Sequence, residues 1–260
     1  MKSTLKKKEV KKTTGQKVGE YIEKRKVAFI IAFAVILIGL IGYIVFDIIN
    51  SKNTEKDLGE IEYISYQLTS DSVELDEAAL AERGAKAIEA LTPYFNKSGI
   101  VGIRANLLAA EIVYSQDKYT DALNYWKAAS EKNKKAYTYS YAMYRQGVCY
   151  EKMNDSSKAS DCYKAASEAQ DNVLTPHAMF SYGRVLETQG NYQSAYDVYK
   201  QIVDTYSIMQ SNLSPFLFNS TYTDEWANVA KSRMLKLEID GKAKTADSVE
   251  SSDKAESKTE

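Results

Sequence analysis

The chain has 260 residues, 44% of them hydrophobic, with twenty Tyr, three Pro, two Cys, one His and a formal net charge of −1. That length suits one substantial core with appendages and excludes a large multidomain enzyme. The charge is unevenly spread: residues 1–26 sum to +7 and the remainder to −8, so the folded part lacks the clustered basic face that nucleic-acid binding needs.

Residues 1–26 form a basic segment. Lys2, Lys6, Lys7, Lys8, Lys11 and Lys12 stand in a stretch with almost no apolar content, which predicts a solvated, disordered lead. From Lys17 to Lys26, Val18, Tyr21 and Ile22 share a helical face, so this part reads either as a juxtamembrane helix on anionic headgroups or as a solvated run-in. Residues 27–46 contain no charged side chain, and twenty helical residues span ~30 Å, the thickness of a bilayer's hydrocarbon core. The run exceeds the apolar region of a secretory signal, and no small-x-small cleavage site precedes Asp47. A single transmembrane helix over 27–49 is therefore expected. The excess of Lys and Arg before it places the N-terminus in the cytoplasm and the rest of the chain on the extracytoplasmic side.

Residues 50–102 read as a linker and an atypical first helical hairpin: 56–69 and 76–95 carry helical apolar patterns, with Pro93 and Lys97-Ser98-Gly99 closing the unit. A repeat follows over residues 103–206. Ala110, Gly147 and Gly183 recur at offsets of 37 and 36 residues, as do Ala122, Ala159 and Ala195. Small residues there let antiparallel helices approach closely, with Tyr125, Trp126, Tyr163 and Tyr199 filling the space beside them. In the last copy, Gly190 provides the left-handed backbone that ends a helix. Residues 207–240 supply a connection and a capping helix over 224–239, with Thr223 as its cap and Trp226, Val229, Ala230 and Met234 covering the preceding hairpin. Residues 241–260 are polar, of mixed charge, and expected to be disordered. The fold class is thus all-α: an N-terminal transmembrane helix, a solenoid of helical hairpins and a C-terminal capping helix.

Hairpins that cannot bury their apolar faces alone stack, and this period with these small positions resembles the tetratricopeptide repeat. Asn106 stands where the first repeat usually has an aromatic. In a stack of this kind the first helix of each hairpin lines the concave side. That assigns Arg104, Leu107, Glu111 and Tyr114, then Tyr141, Tyr144, Val148 and Glu151, then His177, Phe180, Arg184 and Glu187 to a partner-binding groove. Aromatic anchors with a few charges suit an extended or helical peptide, whereas aromatics at helical spacing also serve as core.

Chemistry is scarce. His177 is the only histidine, placed after Pro176 in a first turn that Thr175 would cap, and no glycine-rich phosphate loop is present. No catalytic residue, metal ligand or cofactor site can be named, and no small-molecule substrate is implied. Cys149 and Cys162 face each other across one hairpin and read either as reduced core residues or as a disulfide.

The basic lead, the span, the atypical pair and the short array, above all Lys17 to Val35 and GIVGIRANLLAAEIVYSQDKYTDALNYW at 99–126, resemble the YfgM type of bacterial inner-membrane protein. The resemblance implies an ancillary subunit beside the Sec translocon with a periplasmic repeat domain. Its partners would be translocon subunits, nascent or unfolded polypeptides and periplasmic folding factors. A scaffold for a cell-envelope assembly or division complex is the other reading of the same architecture.

Overall fold

A computed structural model describes residues 15, 23, 25–70, 75–169, 173–207 and 222–244. Most of the basic lead with its juxtamembrane helix, the connection over 208–221 and the tail from 245 lie outside the described residues. The chain forms two compact units, residues 1–56 and residues 57–260.

Helix α1, Lys26–Thr69, contributes to both units. In the first unit the described large apolar side chains, including Ile30, Phe33, Ile38 and Phe46, are exposed, and the helix is long and apolar enough to cross a membrane. The sequence predicts a linker from residue 50, but the helix continues. Polar residues such as Asn50, Lys52 and Glu55 do not break a helix, and no proline interrupts the run. In the second unit Ile61 and Ile64 of the same helix turn inward.

Helix α2, Glu77–Leu91, starts at Asp76, whose carboxylate accepts the Ala79 N–H at 2.8 Å. The predicted helix to residue 95 instead tightens into a 3-10 turn at Thr92–Tyr94 around Pro93, which cannot donate to the α-helical ladder. Arg83 of α2 donates to the carbonyls of Gln67 and Ser70, answering free acceptors at the C-terminal end of α1.

Three hairpins follow: α3 (Gly99–Tyr114) with α4 (Tyr119–Lys132), α5 (Thr138–Lys152) with α6 (Ser156–Ser167), and α7 (Thr175–Thr188) with α8 (Tyr192–Tyr206). Their turns share one construction. Asp117, Asn154 and Gly190 have φ of 59°, 60° and 80°. The next N–H in each reaches back five residues, Lys118 to Val113, Asp155 to Tyr150 and Asn191 to Leu186, at 2.9–3.0 Å. This is the Schellman ending, and it needs the left-handed residue at its centre. Thr175 begins α7 rather than capping it; Leu174 holds the cap position, and Pro176 sits where a missing N–H costs nothing.

The small positions perform as the period suggests. A Cβ on Gly147 would come within 2.7 Å of the Tyr163 ring, and one on Gly183 within 2.6 Å of Tyr199. Ala110, Ala122, Ala159 and Ala195 are fully buried, as are Trp126, Tyr163 and Tyr199. Asn106 is buried too, donating to the carbonyls of Gly102 at 2.7 Å and Phe95 at 3.1 Å. An amide thus replaces aromatic packing by tying the 3-10 turn to α3.

Helix α9, Tyr222–Ile239, packs on α8 through Ala227, Ala230 and Leu237. It starts ahead of Thr223, which is therefore inside the helix and not its cap. Trp226 and Met234 are half-buried against the last hairpin as expected, but Val229 is 44% exposed and covers nothing. The fold extends past the predicted tail boundary at 241. Gly241 (φ 65°) makes a fourth turn of the same kind, Ala243 is buried, and Lys244 pairs its backbone with the Gln193 side chain.

Candidate functional site: the face built by the first helices

The first helices α3, α5 and α7, with α9 in the equivalent place beyond them, set side chains from successive units against one another. Three carboxylates form a ladder along this face. Glu111 of α3 accepts from Arg145 at 2.6 Å and from the Tyr141 hydroxyl at 2.5 Å, both on α5. Glu151 of α5 is held by both terminal nitrogens of Arg184 on α7, at 2.7 and 2.6 Å, and by Tyr163 at 2.5 Å. Glu187 of α7 is held by Arg233 on α9 at 3.0 and 2.7 Å and by Tyr199 at 2.7 Å. Each carboxylate therefore binds an arginine from the next unit and a tyrosine hydroxyl; the guanidinium makes two bonds at Glu151 and Glu187 and one at Glu111.

The electrostatics follow. Burial alone would raise the Glu151 carboxyl, but hydrogen bonds from Arg184 and Tyr163 outweigh it and hold the group below the usual glutamate range. The tyrosines move the other way: burial, then the bonded carboxylate, pushes Tyr141, Tyr163 and Tyr199 upward, so they remain neutral donors.

Between the rungs runs a chain of rings. Tyr163 contacts Tyr144 at 5.2 Å between centroids, Tyr144 contacts His177 at 4.7 Å, and His177 stacks on Trp226 at 4.3 Å and 19°. Phe180 bridges Trp226 at 5.3 Å and Tyr199 at 5.4 Å. Burial and the Arg184 charge lower the His177 pKa and so favour its neutral ring, whose Nε2 shares a hydrogen bond with the Tyr144 hydroxyl at 3.0 Å. Arg145 lies 4.2 Å over the Tyr114 ring, and Tyr141 meets Trp126 edge-on at 5.6 Å.

Of the twelve residues expected in the groove, nine take part in these contacts, in two groups: Glu111, Tyr114 and Tyr141 around Arg145 and Trp126, and Tyr144, Glu151, His177, Phe180, Arg184 and Glu187 along the rings and the other two rungs. Three do not. Arg104 turns to Glu62 of α1 at 3.1 Å, while Leu107 and Val148 pack against the core of the first two hairpins. Arg145 and Arg233 belong to the ladder and were not expected. Their signal in the sequence is an arginine 34 residues after Glu111, 33 after Glu151 and 46 after Glu187. Cys149 and Cys162 are free and buried; burial pushes both thiols up to about 11.

The fold and this face define an all-helical chain carrying a stack of tetratricopeptide-like hairpins, a scaffold of the kind that serves protein–protein interaction. Residues 144–207 match the family described as Tetratricopeptide repeat. A similar curated protein is a "TPR repeat-containing protein" of Treponema pallidum (strain Nichols), 20% identical over 145 residues, which are 56% of this chain and 54% of that protein. The chain thus spans about half the length of the curated relative it matches.

Proposed function

We propose that the protein is a membrane-anchored interaction module that binds polypeptide segments on the extracytoplasmic side of a bacterial inner membrane. The observation that carries this reading is the repeated face of α3, α5 and α7, where one side of a stacked array gathers ring surfaces whose neighbouring charges are already paired. Residues 27–49 are the anchor, since an exposed apolar run of that length has no stable place in water. The basic residues before it keep the N-terminus in the cytoplasm. The resemblance to the YfgM type supports translocon subunits, emerging or unfolded chains and periplasmic folding factors as partners. The rings then provide contact area along the segment, and the Glu–Arg rungs fix the spacing between units.

The test is photocrosslinking in cells from a benzoylphenylalanine placed at Tyr141, which is 36% exposed. Adducts with translocon subunits and nascent chains are expected. Adducts confined to cell-wall or division proteins would overturn the translocon assignment in favour of an envelope scaffold.

A further inference from the structure

The loop between the first two hairpins concentrates positive charge. Residues 127–137 hold Lys127, Lys132, Lys134 and Lys135 against Glu131 alone, in a chain whose residues 27–260 sum to −8. The loop is built to turn these charges outward. The Asn133 side chain accepts the Lys135 N–H at 2.9 Å and its carbonyl accepts the Ala136 N–H at 3.1 Å, a tight turn that leaves Lys134 and Lys135 exposed. Neither lysine has a carboxylate partner among the described ion pairs, and Lys132 is bonded to a neutral carbonyl, so the three charges stand unbalanced except for Glu131. Beside them Tyr137 is 72% exposed.

The contacts of this loop fix where it lies in the second unit. The Lys132 ammonium donates to the Lys97 carbonyl at 3.1 Å, and the Lys97 ammonium is paired with Asp57. Asp57 is the residue at which α1 enters that unit. Eight residues of α1 separate it from Ile49, the end of the proposed anchor, which is ~12 Å of helix. A headgroup layer fills about 5–7 Å beyond the hydrocarbon on each side of a bilayer. The basic loop therefore belongs to the end of the stack where the chain leaves the membrane.

We infer that Lys132, Lys134 and Lys135, with Tyr137 beside them, contact the anionic phospholipid headgroups of the leaflet from which α1 emerges. Lysines on an exposed loop attract such headgroups over about a Debye length, and a tyrosine ring suits the boundary between apolar and polar layers. Tethering favours this occupant over a free acidic polypeptide, because the anchor holds the lipid surface at a high effective concentration. The inference rests on the reading of residues 27–49 as an anchor. Failure of that reading would appear separately, as a chain that does not co-elute with nanodiscs of any composition.

The experiment uses the full chain with Ala136→Cys carrying a bimane, in nanodiscs whose lipids include a fixed share of headgroup-nitroxide phosphatidylcholine. The buried Cys149 and Cys162 give little background. Quenching should be at least threefold greater with about one-third phosphatidylglycerol than with phosphatidylcholine alone, and added salt should reverse the difference. Lys134→Glu/Lys135→Glu should abolish it while far-UV circular dichroism stays unchanged. A bimane on Ser157→Cys, exposed at the opposite end of α5 and α6, should remain unquenched in both lipids. Equal quenching at Ala136→Cys in the two lipids would show proximity without charge recognition and overturn the proposal. So would no quenching in a chain that co-elutes with the discs, or undiminished quenching in the folded double variant. Binding of a Glu-rich peptide that the double variant abolishes, with no response to phosphatidylglycerol, would assign the loop to an acidic polypeptide and also overturn it.

Discussion

At the scale of single residues, the carboxylates of the ladder carry the most specific consequences. Glu151 is bonded by a bidentate arginine and a tyrosine, and its replacement by Gln leaves Arg184 half-buried without its counter-charge. Because both partners remain partly wet, the expected loss is about 1–2 kcal/mol, not the larger penalty of a fully buried pair. Glu62→Gln breaks the exposed contact to Arg104 and should cost less than about 0.5 kcal/mol by urea denaturation. The sign with pH is fixed by the lowered carboxyl of Glu151. Its contribution is complete above the ordinary glutamate range and disappears as pH falls through the lower folded value. Glu151→Gln should therefore flatten the acid limb of a stability–pH profile. The turns give a second residue-scale expectation. Asn154 and Asp117 hold the same left-handed conformation as Gly190, so Gly190→Asn should stay within about 0.5 kcal/mol of the native chain. Gly190→Val should cost at least about 1 kcal/mol, because a β-branched residue fits that backbone poorly.

At the scale of elements, α9 completes the last hairpin. It covers Tyr199 and Ile202, stacks Trp226 on His177 and delivers Arg233 to Glu187. A chain ending at Ser207 should unfold at a lower temperature, and amide exchange should rise first in α7 and α8 and least in α3 to α5. Uniform loss of protection would show instead that the stack behaves as one cooperative block. Much of this architecture was legible in the sequence. Small residues at offsets of 37 and 36 mark close helix contacts, and such contacts tolerate little else. Gly190 likewise announced its turn, but the left-handed backbone of Asp117 and Asn154 was not announced, since their side chains are compatible with many conformations. The continuation of α1 through 50–56 was hidden because polar residues look alike in a linker and on an exposed helix. The ladder was hidden for another reason: an arginine's partner 33 residues back is set by how two hairpins stack, which no local pattern encodes. The contact of Phe180 with Trp226 depends on an element that begins more than forty residues later, which the pattern around Phe180 does not encode.

At the scale of the whole molecule, the placement of the two ends can be read by chemistry. Cys149 and Cys162 are buried, and their raised thiols hold little thiolate at neutral pH, so they give a quiet background. A cysteine introduced as Ser252→Cys should react with an impermeant maleimide added to intact spheroplasts. One introduced as Ser3→Cys should react only after lysis. The reverse pattern would invert the proposed orientation. Native Cys149 and Cys162 should label only in denaturant, and rapid labelling of either in the folded chain would contradict the burial described for them.

The rungs also bear on how the protein is made. Because each glutamate waits for an arginine encoded in a later unit, a ribosome releasing the chain from its N-terminus always leaves the newest hairpin one counter-charge short. Closure arrives only with Arg233, so a nonsense or frameshift product lacking α9 would emerge with Glu187 unanswered and with Tyr199 and Ile202 uncovered at its growing edge.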